Sequence, residues 1–224
     1  MIKAVIFDMF ETLVTLFEGR TYFSENMAKD IGADITEFRK AWHKSEHDRS
    51  IGRMTMKEGI ADTLRNLGMY DEKTVDMLFG NRLAALGDTF AAIPEASVEL
   101  LKGLKKRGIK VGLITNTFSD ERDLIRASEL FPYFDAAMIS YEQGVLKPDP
   151  SMYLKIMEEF GVKPEECLYV GDGGSKELYA ARDLGMNAVQ ALWFHELAFE
   201  PHVPCDELPE FPHAVKQAEI FDMI

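Results

Sequence analysis

Three side chains, far apart in the chain, are of the types that a nucleophilic hydrolysis needs. Asp8 ends an apolar run, Ala4-Val5-Ile6-Phe7. Lys147 lies in Gly-Val-Leu-Lys-Pro-Asp-Pro, and Asp172 in Tyr-Val-Gly-Asp-Gly-Gly-Ser-Lys-Glu. A carboxylate at the carboxyl end of a buried strand sits at the rim of an α/β sheet, where such sheets place their chemistry. Two acids and a lysine on such rims would supply a nucleophile, a metal ligand and a cation to neutralise a bound anion. Each residue alone has a plainer reading: Asp8 as a turn residue, Lys147 as a solvated lysine, Ser175 as the N-cap of the following helix. Their joint placement at ends of separate apolar runs favours the chemical reading.

The elements that must position them follow from apolar patterning. Five short runs predict strands over Ile2–Asp8, Ile109–Thr115, Ala136–Ser140, Cys167–Gly171 and Asn187–Ala191. Most lack alternation, as strands covered on both faces do. Between them, helices are predicted over Ala96–Arg107, Ser119–Leu130, Ser151–Phe160 and Ser175–Leu184. The third has Asp149 as N-cap, Pro150 in its first turn and Gly161 at its stop. Strand and helix alternate, which predicts an α/β, Rossmann-like parallel sheet with helices on both faces.

Residues 15–88 break that rhythm and contain no convincing strand. Asp34 to Glu37 and Thr55 to Glu58 have the spacing of capping boxes. Ile60, Leu64 and Leu67 share one helical face, and Val75, Leu78, Phe79, Leu83 and Leu86 share another. The segment is predicted to be an α-helical bundle inserted as a cap over the rim that carries Asp8. The core domain is then residues 1–14 and 89–224. The tail beyond Trp193 is expected to wrap the core and to end in a helix near His213–Met223.

With 46% hydrophobic residues in 224, a sizeable core can form. Net charge is −13, from 25 Lys and Arg against 38 Asp and Glu, which disfavours general nucleic-acid binding. An anionic substrate must therefore be drawn by local positive charge. Two cysteines, Cys167 and Cys205, imply no disulfide framework, in keeping with a reducing cytoplasm. The short apolar N-terminus, interrupted by Asp8 and Glu11, predicts neither a signal peptide nor a membrane span.

Four motifs in this order resemble those of the haloacid dehalogenase-like hydrolases, and the resemblance covers nearly the whole chain. They are the strand ending in Asp8 with Phe10 and Thr12-Leu13, then Leu113-Ile114-Thr115-Asn116, then Lys147 before Pro148, then Gly171-Asp172 followed by Glu177. The helical insert resembles the family's first class of cap. The resemblance implies Asp8 as nucleophile, with Thr12, Thr115, Asn116 and Lys147 holding substrate. It implies Mg²⁺ bound by Asp8, the carbonyl of Phe10, Asp172 and Glu177, the last directly or through water. Oxygen-only ligands suit Mg²⁺. Arg49, beside an interhelix turn of the cap, is a candidate for the substrate's far end.

Phe10 departs from the pattern. Phosphatases of this family carry there the Asp that acts as general acid and base, whose loss costs about 10²–10⁴-fold. Glu11 is adjacent, but backbone alternation aims it elsewhere. Three readings stay open. The first is a Mg²⁺-dependent phosphatase of a small phosphomonoester working through an aspartyl-phosphate, slowed by Phe10. The second is a metal-free 2-haloacid dehalogenase, which Phe10 favours and Asp172 disfavours. The third is a non-catalytic protein that binds a phosphorylated metabolite.

Overall fold

The computed structural model describes residues 1–199, 202 and 204–224. Strands β1 (Ala4–Phe7), β2 (Lys110–Thr115), β3 (Ala136–Ile139), β4 (Cys167–Gly171), β5 (Asn187–Ala191) and β6 (His213–Ala214) form one parallel sheet in the order β3-β2-β1-β4-β5-β6. The first five match the predicted runs, β1 shorter by three residues and β2 and β3 by one each. The sixth lies where a helix was expected. The tail makes a two-residue strand there, then a short 3₁₀ helix over Gln217–Asp222.

β1 is wholly buried and central, which explains its unbroken apolar run. One core layer packs Val5, Phe7, Leu101, Leu113 and Val170 on one sheet face; a second packs Ile6, Ile114, Tyr153, Ile156 and Tyr169 on the other. Chain order reverses between β1 and β4, so their carboxyl ends flank the crevice in which open α/β sheets bind ligands.

Helices α1 (Ser24–Asp30), α2 (Ile35–His43), α3 (Glu46–Ser50), α4 (Met56–Asn66) and α5 (Glu72–Ala91) follow β1. Met27, Phe38, Trp42, Met56, Ile60, Leu64 and Leu78 make their own core. Thr55 and Glu58 cap α4 reciprocally, whereas Asp34 caps α2 from one side only. Leu83 is exposed rather than packed on its expected face.

The sheet helices are α6 (Glu95–Lys106), α7 (Ser119–Ala127), α8 (Ser140–Gln143), α9 (Pro150–Phe160) and α10 (Glu177–Asp183). α9 has the expected ends: Asp149 accepts from Ser151 N–H, and Gly161 turns left-handed at φ +63°. Among the described residues, no helix is long and apolar enough to cross a membrane.

Candidate active site

β1, β2 and β4 deliver Asp8, Thr115 and Asp172 to one rim of the sheet, and the loop after α8 brings Lys147 to it. Asp8 follows the last residue of β1, and its N–H still bonds Val170 of β4 at 3.0 Å. Its Oδ1 accepts from Met9 N–H at 2.8 Å and lies 2.7 Å from Lys147 Nζ. Lys147, 5% exposed, also pairs with Glu177. Carboxylate oxygens of Asp8, Asp172 and Glu177 all lie within 4.8 Å of one another.

Glu177 is fully buried, and its oxygens are already engaged: Oε2 by Lys147 and by Tyr169 O–H at 2.9 Å, Oε1 by Gly173 N–H at 3.3 Å. A Cβ on Gly171 would collide with that carboxylate, which accounts for the glycine before Asp172. In this geometry Glu177 anchors Lys147.

Crowding sets the electrostatics. Burial, then the Asp8 charge, holds Asp172 above the usual carboxylate range. Burial pushes Glu177 up to about 8, helped by Asp8 and Asp172 against the pull of Lys147. Burial alone would lower Lys147, but Asp8 and Glu177 outweigh it and raise the ammonium above its ordinary value. Three acids against one lysine make a site that a divalent cation would relieve. The all-oxygen donors of Asp8 and Asp172 fit a hard ion.

Asn116 joins three loops. Its Oδ1 accepts from Lys147 N–H at 2.8 Å, and its amide nitrogen donates to Ser175 Oγ at 3.2 Å. It lines, with Lys147 and Ser175, a cavity of about 800 Å³ whose far wall comes from His43, His47 and Ser50 of the helical layer. Thr12 is fully buried; its hydroxyl has no partner among the described residues, and its carbonyl accepts from Trp193 Nε1 at 2.8 Å.

Some expected residues are placed elsewhere. Arg49 is fully buried and does not line the cavity. Its guanidinium stacks 3.8 Å from the Trp42 ring centroid, donates to the Trp42 carbonyl, and passes Gly59, where a Cβ would strike its Cδ. Burial lowers it to about 10. The Phe10 ring packs edge-on against Phe90 and the sheet core. Glu11 turns left-handed at φ +54° and spends its carboxylate on Thr15 O–H (2.7 Å) and Leu16 N–H (2.8 Å). Ser175 is no N-cap: it sits at φ +55°, one residue before Lys176 at φ +56°.

Residues that sequence reasoning passed over complete the site. Gln190, fully buried in β5, donates to the Asp172 and Asp206 carbonyls at 2.8 and 2.9 Å, and the Cys205 thiol meets the Asp172 carboxylate. A lone glutamine inside an apolar strand run was the available signal.

A family model described as haloacid dehalogenase-like hydrolase matches residues 2–185. The chain is 35% identical over 172 residues to the rhythmically expressed gene 2 protein of Drosophila melanogaster, covering 67% of this chain and 65% of that protein, just under two thirds of its length. It is 33% identical over 204 residues to a glyceraldehyde 3-phosphate phosphatase of Pyrococcus abyssi, covering 87% and 82%. The fold is similar to that of a 2-haloacid dehalogenase from Pseudomonas syringae, with TM-score 0.71, 22% identity, and 99% and 97% of the two chains covered.

Proposed function

The chain belongs to the haloacid dehalogenase-like hydrolases, and from that premise we propose that it hydrolyses a small phosphomonoester with Asp8 as nucleophile. The observation that carries this reading is the convergence of Asp8, Lys147 and Asp172, with the two carboxylates within 4.8 Å of each other. The phosphatase named among its relatives supports it. Asp8 attacks phosphorus, the P–O bond to the alcohol breaks, and water then cleaves the aspartyl-phosphate to regenerate the carboxylate. Lys147 neutralises both Asp8 and the bound phosphoryl oxygens. Thr115, fully buried at the end of β2, and the loop after it hold a transferring oxygen.

Asp8, Asp172 and the Phe10 carbonyl would hold Mg²⁺. The ion's chemistry there is charge neutralisation of the phosphoryl group. Glu177 acts by fixing Lys147, and residues 15–88 serve as the cap. Phe10 leaves the leaving group without a general acid from that position, so activated esters should be cleaved faster than alkyl ones.

Phosphate release from an aryl phosphate tests the reading. Activity should require Mg²⁺, stop with EDTA and vanish in Asp8→Asn. Halide release from a 2-haloacid in EDTA would instead support the dehalogenase, the reading that Phe10 favours. A dehalogenase needs a cap arginine to receive halide, and among the described residues no arginine lines the cavity. A shift in melting temperature with inorganic phosphate and Mg²⁺, but no turnover, would mark a binding protein.

A further inference from the structure

We propose that Lys176 forms a second anion subsite in the cavity and selects phosphomonoesters whose alcohol half carries a carboxylate. This rests on the phosphomonoester reading above.

The first observation is backbone conformation. Ser175 and Lys176 stand consecutively at φ +55° and +56°. Side-chain-bearing residues are disfavoured in that region and persist where their surroundings over-determine them. Asn116 Nδ2 holds Ser175 Oγ at 3.2 Å, and Asp172 Oδ1 accepts from Gly174 N–H at 2.9 Å. The strained turn separates two neighbours: Glu177 is fully buried against Lys147, while Lys176 is exposed on the cavity wall.

The second observation is charge. Around the same cavity, His43 bonds Glu46 at 2.6 Å, Glu121 pairs with Arg82, and Lys147 is shared by Asp8 and Glu177. Among the described residues, Lys176 has no carboxylate within 4.0 Å, and the His47 imidazole across the cavity has no hydrogen-bond partner. A free ammonium in a chain of net charge −13 is a local attractor for an anion. The phosphoryl group belongs at Asp8 and Lys147. Lys147 and Lys176 line the same cavity of about 800 Å³, so an anion held at Lys147 leaves room for the rest of the substrate to meet Lys176.

Phosphoglycolate and ethyl phosphate differ chiefly by a carboxylate. The ratio of their kcat/KM values should favour phosphoglycolate in the wild type and fall about ten-fold in Lys176→Met, as loss of a charge-assisted contact does, with the change mainly in KM. Lys176→Arg should restore most of it. Lys176→Gly, which suits a left-handed backbone and therefore folds, should match the Met variant. Equal losses on both substrates, or a preference for ethyl phosphate in the wild type, would overturn the second subsite and leave the phosphatase reading standing. Release of phosphate from neither substrate or any activated aryl phosphate would overturn both.

Discussion

Lys147 Nζ sits 2.7 Å from Asp8 Oδ1 while also bound to Glu177, so one ammonium spans the proposed nucleophile and a fully buried glutamate. Removing it leaves two acids uncompensated in a low-dielectric site. Lys147→Met should cost about 3–5 kcal/mol of stability, as breaking a buried ion pair from one side does. Phosphate release should fall by about 10²-fold or more, because charge stabilisation is lost at the reacting oxygens. Denaturant unfolding and a steady-state assay on the same preparation separate the two effects. The double variant Lys147→Met, Glu177→Gln should recover stability but not turnover. Recovered turnover would mean that Lys147 acts only as a structural counter-ion.

Phe10 raises a second question, whether restoring an acid there restores chemistry. Its half-buried ring stacks edge-on against Phe90 at 6.3 Å between centroids and faces the main core. Phe10→Asp should therefore lower stability by about 2 kcal/mol through lost packing and burial of a charge. It should not raise kcat on an alkyl phosphate ten-fold, since the side chain at this position packs against Phe90 and the core. A gain above ten-fold, measured well below the variant's melting temperature, would show that the turn after β1 swings residue 10 toward the substrate.

The sheet was legible because its strands are buried on both faces and read as apolar runs. β6 was not: two residues carry no periodicity, and its pairing with β5 at Gln190 and Ala191 is a long-range event. The gathering of Asp8, Thr115 and Asp172 on one rim was legible because they are strand-end residues, placed by the register of β1, β2 and β4. Side-chain orientation was less accessible. The family resemblance implies Asp172 and Glu177 as metal ligands; the structure sets their oxygens within 4.8 Å of each other, but the pairing of Glu177 with Lys147 had no signal in the chain. The expectation that Arg49 faces substrate fails because nothing local announces that Trp42 and Gly59 enclose it.

The helical layer is joined to the sheet domain by buried charge. Arg82 of α5 donates to Asp120 and Glu121 of α7, each at 2.6 Å. Met56 N–H donates to Ser119 Oγ at 2.8 Å nearby. Arg82→Met should cost about 3–5 kcal/mol by stranding two carboxylates. The triple change Arg82→Met, Asp120→Asn, Glu121→Gln should cost markedly less, because no unpaired charge stays buried. If the triple variant is as unstable as the single one, packing of the arginine stem dominates, and the ion pairs contribute little to holding the layers together.

Glu11 gives the clearest pH signature. Burial pushes its carboxyl from 4.5 to about 7, against the opposing bonds from Leu16 N–H and Thr15 O–H. Because the folded value is raised, its stabilising contribution is complete below about pH 4.5 and is lost as pH rises through 7. Glu11→Gln keeps an acceptor for Leu16 and cannot ionise. In EDTA, so that no metal contributes, the variant should melt with the wild type at pH 4.5 and above it at pH 8, the gap opening between these values. Scanning calorimetry across that range checks it. A constant gap would mean that Glu11 stays neutral throughout or ionises without cost, and that the acids around Asp8 and Asp172 are less crowded in solution than their geometry implies.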